Sequence, residues 1–142
     1  MSLDLATARA MIAAALDHGS AAGLKPLTAV VLDAGGHLIA AERSDGSSNK
    51  RFEIAFGKAH GAISLGMGSR ALMARAEQQG YFVAAVTSAV GGALVPVPGG
   101  VLVKDGGGTV IGALGVTGDT SDHDEAAAVA GIESVGLLPQ PD

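Results

Sequence analysis

Two basic side chains in the first half of the sequence have the chemistry of an anion-binding or acid–base site. Arg43 follows a predicted strand and lies two residues before Asp45, and a guanidinium presents paired donors in one plane that suit a carboxylate. Lys58 lies on a mostly apolar stripe of a predicted helix, where a lysine can have a lowered pKa or bind an anionic ligand. Residue type alone favours plainer explanations. Asp45 then accepts the backbone N–H groups of a turn, and Lys58 lies at the edge of the core with its ammonium in solvent.

The sequence contains four histidines, and each has the chemistry of an axial ligand to a haem iron. His18 lies near the end of the first predicted helix, and His60 follows Lys58 on the second. His37 falls in a predicted hairpin turn, which predicts an exposed ring, and His123 opens the last helix. No two are spaced i, i+4 on one helix, so the sequence has no local pair of metal-binding histidines. For a single histidine, a structural role is the more common one.

An acidic cluster surrounds His123 at the start of the last predicted helix; its members are Asp119, Asp122, Asp124 and Glu125. Carboxylates at a helix start complement the positive end of the helix dipole and accept its free N–H groups. The spacing is not that of a calcium-binding loop. We therefore interpret the cluster as capping.

Two glycine-rich stretches lie in the second half of the chain. The run 106–108 lies between two predicted strands, so it indicates a hairpin turn rather than a phosphate-binding loop, which precedes a helix. Gly112, Gly115 and Gly118 lie in and just after the last long predicted strand. Glycines there indicate a bulge, or the close approach of another backbone or a flat ligand. They point weakly to the wall of a pocket.

The composition of the 142 residues excludes several classes of protein. With no Cys there is no disulfide framework, thiolate nucleophile or thiolate-bound metal. The net charge of −5 and the aromatic content of 3% argue against nucleic acid as a partner. No apolar run approaches the roughly 20 residues of a membrane span. The opening residues lack the basic start of a signal peptide, so we expect a cytoplasmic protein.

The order of predicted elements indicates an α+β fold with an antiparallel sheet. The elements are a helix over 4–22, a hairpin of strands 28–33 and 38–42, helices over 51–66 and 69–79, a second hairpin of strands 100–104 and 109–116, and a helix over 122–135. Between 80 and 100 the pattern is irregular, with a short strand at 83–86. Hairpins separated from helices exclude a parallel nucleotide-binding sheet. We expect residues 1–142 to form a single domain.

Several segments, in this order and spacing, resemble the GlcG/HbpS family. They are VVLDAGGHL at 30–38, RSDG at 43–46, IA at 54–55, KA at 58–59, GG at 99–100, VIGALGVTG at 110–118 and DE at 124–125. Each segment alone is weakly specific, and their joint occurrence over nearly the whole chain is specific. The sequence departs from the family pattern at Gly61, where a Thr is common.

The resemblance implies a central antiparallel sheet with flanking helices, in profilin-like α-β-α layers, and symmetric oligomers. Members include extracellular haem-binding sensors, cytoplasmic proteins encoded beside catabolic genes, and the C-terminal domain of PduO-type corrinoid adenosyltransferases. By the resemblance, Arg43, Asp45 and Lys58 would line a shared pocket, with the segment from Gly115 to Gly118 nearby.

Two hypotheses about function follow. The first is a cytoplasmic, homo-oligomeric protein that binds haem or a related tetrapyrrole, with His60 or His18 as axial ligand and with Arg43 and Lys58 pairing with the propionates. The second is a cofactor-free enzyme acting on a small organic acid in a catabolic pathway. There Arg43 would hold the carboxylate, Lys58 would act as base or stabilise an enolate, and Asp45 would orient one of them. A non-catalytic structural partner of a neighbouring enzyme is a third reading. None of these involves a metal ion other than haem iron, nucleic acid or a membrane.

Overall fold

Two hairpins form the centre of a five-stranded antiparallel sheet in the computed structural model, which describes residues 2–142. In chain order, the elements are α1 (Leu5–Ala21), β1 (Thr28–Asp33), β2 (Leu38–Arg43), α2 (Arg51–Leu65), α3 (Ser69–Gln78), α4 (Gly80–Ala89), β3 (Gly100–Lys104), β4 (Val110–Thr117), α5 (Ser121–Ser134) and β5 (Leu138–Gln140). The strand order is β2-β1-β4-β3-β5. The predicted α+β class with an antiparallel sheet is confirmed.

The first hairpin turns where the sequence predicts it. Gly36 adopts a φ of 82°, a left-handed conformation that glycine reaches without steric cost. One carboxylate oxygen of Asp33 accepts the backbone N–H groups of Gly35 and His37, both at 2.9 Å. The ring of His37 is exposed, as predicted.

The two faces of the sheet are covered by different helices, because side chains alternate along each strand. In β1, Ala29 and Val31 belong to the core beneath α1 and α5, whereas Val30 and Leu32 pack under α2. Helices α1 and α5 cross closely, since a Cβ on Gly131 would lie 2.6 Å from a backbone oxygen of α1. We call the side covered by α2 the α2 face and the opposite side the α1 face.

The region between 80 and 100 differs from the sequence prediction. Residues 83–86 are not a strand; they lie within helix α4. Val83 packs with Leu72 and Leu94 in a third apolar cluster, joined by Val86 and Val90. The valines at 83, 86 and 90 recur at helical spacing, so packing of that stripe outweighs the β propensity of valine.

The short edge strand β5 was absent from the predicted elements. It pairs with β3, with Leu102 opposite Gln140 and Lys104 opposite Leu138. Three residues that include a proline have too little pattern to indicate a strand from sequence. In the described part of the chain, no helix combines the length and the apolar character needed to cross a membrane.

Candidate functional site

Lys58 lies in the protein interior, with 1% of its surface exposed. Its ammonium donates hydrogen bonds to Asp124 Oδ2 at 3.1 Å and to the carbonyl oxygen of Val116 at 3.0 Å. Both charged side chains are 2% exposed. The pair therefore joins the middle of α2 to the end of β4 and the start of α5. The predicted position at the solvent edge of the core is wrong.

Two glycines make room for Lys58. A Cβ on Gly99 would lie 2.8 Å from the Lys58 ammonium nitrogen, and a Cβ on Gly100 would lie 2.3 Å from the Lys58 carbonyl oxygen. A side chain at either position would displace the lysine or the helix that carries it. The adjacent glycines at the start of β3 are therefore part of the site.

The groups around Lys58 shift its pKa in opposite directions. Burial lowers the pKa of Lys58 below its ordinary value of 10.5, the carboxylate of Asp124 opposes this, and the positive charge of Arg51 lowers it further. Asp124 Oδ1 also accepts the backbone N–H of Asp119 at 2.8 Å. The ammonium thus has acceptors for two of its three N–H groups, and it lies in the interior, away from solvent.

The acidic cluster at the start of α5 does more than cap the helix. Thr120 provides the side-chain cap. Arg70 of α3 binds Glu125 Oε2 at 3.0 Å and also binds Asp122. The capping interpretation is therefore wrong for Asp122, Asp124 and Glu125, whose carboxylates pair with basic side chains of other helices. These pairs fix the start of α5 over α2 and α3.

His60 lies beside the first hairpin turn, on the α2 face. Its Nδ1 is 2.8 Å from the carbonyl oxygen of Ala93. Its ring stacks on Phe56, with centroids 5.4 Å apart and planes inclined by 14°. A Cβ on Gly36 would lie 3.6 Å from its Nε2, so the backbone of the hairpin turn lies close to this edge of the ring.

His18 lies in the last turn of α1 and is therefore on the opposite side of the sheet from His60. In the part of the chain that the structure describes, its ring has no hydrogen-bond partner. A cavity of about 210 Å³ adjoins this turn and is lined partly by Gly19, Ser20 and Asp45. The structure thus places Asp45 near the end of α1 and far from His60.

Arg43 ends the edge strand β2 and is exposed. The strand begins at Leu38, next to the turn that touches His60, so Arg43 and His60 lie at opposite ends of β2. Five residues of strand span about 17 Å. The structure brings together neither these two residues nor Arg43 and the buried Lys58 ammonium.

Gly115 and Gly118 allow close approach of backbone. A Cβ on Gly115 would lie 2.1 Å from the carbonyl oxygen of Ala55 in α2, and one on Gly118 would lie 2.2 Å from that of Pro26. Of the alternatives predicted from sequence, close contact with another backbone is the one the structure displays at both positions.

Sequence reasoning missed two members of this region. Asp124 was grouped with the capping residues, although it is the partner of Lys58. The sequence pattern predicts only that Arg51 starts a helix, whereas its Nη1 donates to Thr117 Oγ1 at 3.0 Å and its Nε donates to Ser48 Oγ at 3.0 Å. An Arg directly after the polar loop between β2 and α2 was the available signal. No group of three or more His, Asp or Glu that could hold a metal ion occurs within residues 2–142.

The fold is an open antiparallel sheet, with a buried lysine on the helix that covers its centre and a half-buried histidine beside its first hairpin. Residues 3–133 match the model of the family described as "Haem degrading protein HbpS-like". The chain belongs to this family, and the predicted resemblance is confirmed. No match was found among curated proteins.

Solved structures share the fold. The PduOC:heme complex has a TM-score of 0.85 at 22% identity, covering 96% of this chain and 97% of that chain. HbpS has a TM-score of 0.80 at 27% identity, covering 94% and 90%, and HbpS of Streptomyces reticuli is also similar as a double mutant. The Klebsiella pneumoniae protein ORFY has a TM-score of 0.84 at 25% identity, again covering 94% and 90%.

Proposed function

We propose that this protein is a cytoplasmic, homo-oligomeric protein that binds haem or a related tetrapyrrole, with His60 Nε2 as the axial ligand. The proposal treats residues 1–142 as a single functional domain. The observation that carries it is the hydrogen bond between His60 Nδ1 and the Ala93 carbonyl oxygen. Family membership supports it, as does a structural neighbour solved as a complex with heme.

The hydrogen bond selects the tautomer that a metal ligand needs. A carbonyl oxygen only accepts, so Nδ1 carries the proton and donates it to Ala93. In the neutral ring, Nε2 then has the free lone pair. A backbone carbonyl bound to the second ring nitrogen is the usual partner of a metal-ligating histidine, because it also fixes the ring orientation.

The surroundings of His60 fit an apolar macrocycle. Phe56 stacks on its ring, and Phe52, one turn earlier on α2, is 37% exposed. Burial of this surface by a flat ligand would be favourable. Haem bound there would supply an iron centre, and this chain would supply the ligand and the apolar wall.

Arg43 and Lys58, the two predicted partners of the haem propionates, differ in exposure. Arg43 is exposed and is available to a carboxylate at the far end of β2. Lys58 is bound to Asp124 in the interior. Lys58 therefore does not fit the predicted propionate contact, and Arg43 lies at the opposite end of β2 from His60.

The alternative is a cofactor-free enzyme acting on a small organic acid, with Arg43 holding the carboxylate and Lys58 as base. It requires the Lys58 ammonium to leave Asp124 and to approach a substrate held at the sheet edge. No contact in the structure favours this function over ligand binding.

A hemin titration followed by absorption spectroscopy tests the proposal on wild-type protein and on His60→Ala, His18→Ala and His37→Ala variants. His37 is the matched control, since its exposed ring lies in the hairpin turn next to the site. We expect a saturable one-to-one band that persists in His18→Ala and His37→Ala and is lost in His60→Ala. Circular dichroism would show that His60→Ala is folded.

Two results would overturn the assignment. Loss of the band in His18→Ala with retention in His60→Ala would place the ligand on the α1 face. Absorbance that does not saturate and is equal in all variants would remove haem from the function.

A further inference from the structure

The end of the sheet beneath the start of α2 contains a buried hydroxyl with no partner. Thr28 is 1% exposed, and its Oγ1 has no hydrogen-bond partner within residues 2–142. Burying a hydroxyl without a hydrogen bond costs free energy, so such a group indicates a missing partner. Ser47 Oγ, in the loop that leads to α2, is also buried without one.

The strand register places Thr28 in a polar row across the sheet. Thr28 pairs with Thr117 of β4 on one side and with Arg43 of β2 on the other. Directly paired residues share a face, and their Cβ atoms lie about 5 Å apart. The three side chains therefore line the α2 face at the end where α2 begins, and Thr117 is already bonded to Arg51.

Arg51 is a half-buried cation with spare donors. Its Nε bonds Ser48 and its Nη1 bonds Thr117, which leaves three of the five guanidinium N–H groups without an assigned acceptor. Across the part of the chain described, no carboxylate forms an ion pair with Arg51, whereas Arg70 binds two carboxylates. The start of α2 has no side-chain cap, so the positive end of the helix dipole adds to this charge, and Glu53 in the first turn opposes it.

We propose that Arg51, Thr28 and Thr117, with Arg43 at the sheet edge, form a binding site for a small oxyanion, either a carboxylate or a phosphate. The guanidinium supplies paired donors, the Thr28 hydroxyl supplies a third, and the anion provides the missing acceptor for both. This site is separate from the haem ligand, because Arg51 precedes His60 by nine residues, about 13 Å along α2.

The test is a titration of isotopically labelled full-length protein with sodium acetate and, separately, inorganic phosphate, with chloride added to keep the ionic strength constant. We expect saturable NMR shifts of the backbone amides of Thr28, Arg51 and Thr117 with at least one of the anions. The anion that binds more tightly identifies the class of ligand. If neither anion gives saturable shifts at these amides, the proposal is wrong.

Three variants distinguish a loss of anion binding from a loss of structure. Arg51→Gln should weaken binding about tenfold or more, since it removes a charge-assisted pair of donors. Arg9→Gln, at an exposed site on α1, should leave the affinity unchanged. Thr28→Val keeps the shape and removes only the unpartnered hydroxyl, so it should fold normally and bind more weakly. Equal affinities in Arg51→Gln, Thr28→Val and Arg9→Gln would overturn the site, whatever happens to hemin binding.

Discussion

The charges of Lys58 and Asp124 stabilise the fold only as a pair. Each is costly to bury alone, and their mutual attraction with the added bonds to Val116 and Asp119 offsets that cost. Removal of one partner therefore has a different effect from removal of both.

We predict that Lys58→Met lowers the free energy of unfolding by about 3–5 kcal/mol, because Asp124 then remains charged and unpaired in the interior. The double variant Lys58→Met/Asp124→Asn should recover most of the loss, since Asn still accepts the backbone N–H of Asp119. Urea unfolding of the three proteins measures both effects. A single variant no less stable than the double variant would contradict the pairing.

The Lys58–Asp124 pair also shows how far the contacts of single residues could be predicted from the sequence. The apolar stripe of α2 left open whether Lys58 points inward or lies at the solvent edge of the core, and its partner lies 66 residues away. Asp124 follows a helix start, where capping is the common role, so local pattern favoured the wrong function. The glycines at 99 and 100 carried the missing information, because they permit the close approach of α2.

At the scale of elements, the contact of α2 with β4 depends on the absence of a side chain at Gly115. The carbonyl oxygen of Ala55 would lie 2.1 Å from a Cβ there, and Ala59 Cβ would lie 3.1 Å away. Small residues on both elements thus bring the helix backbone down onto the strand. Gly61, further along α2, allows close packing against the segment between α4 and β3, where a Cβ would lie 3.0 Å from Leu94.

We predict that Gly115→Ala destabilises the protein by about 1–3 kcal/mol, because α2 must shift away from β4. Gly106→Ala is the matched control, since a Cβ in that exposed turn meets nothing within 4 Å. Thermal unfolding of the two variants measures the difference in their stability. Unchanged stability of Gly115→Ala together with loss of hemin binding would show instead that this glycine faces the ligand.

Most elements could be predicted from sequence, and the exceptions share a physical cause. Hairpins and amphipathic helices have local patterns, so both hairpins and four of the five helices were predicted within a residue or two. Helix α4 and strand β5 depend on distant partners. Val83 of α4 packs against Leu72 and Leu94, and β5 pairs with β3. For the same reason, the sequence identified His60 and Arg43 as candidates, but it could not predict that they lie at opposite ends of β2.

At the scale of the whole molecule, the sheet has an open edge. Strand β2 has a neighbour on one side, and the helix on its α2 face covers the centre of the sheet more than its edge. Leu38 on this strand is 53% exposed. Native proteins seldom leave a strand edge and apolar side chains uncovered together. A second copy of the chain is the partner that the proposed homo-oligomer supplies.

We therefore predict a mass above the monomer value of 13.9 kDa in light scattering at high protein concentration. Leu38→Lys should lower the mass towards that of the monomer, because it places a charge in the apolar contact at the β2 edge. Leu138→Lys is the control, since Leu138 is 48% exposed but lies on β5, at the opposite edge of the sheet. A single species of monomer mass in the wild type would refute the homo-oligomer, and equal effects of the two substitutions would move the interface away from β2.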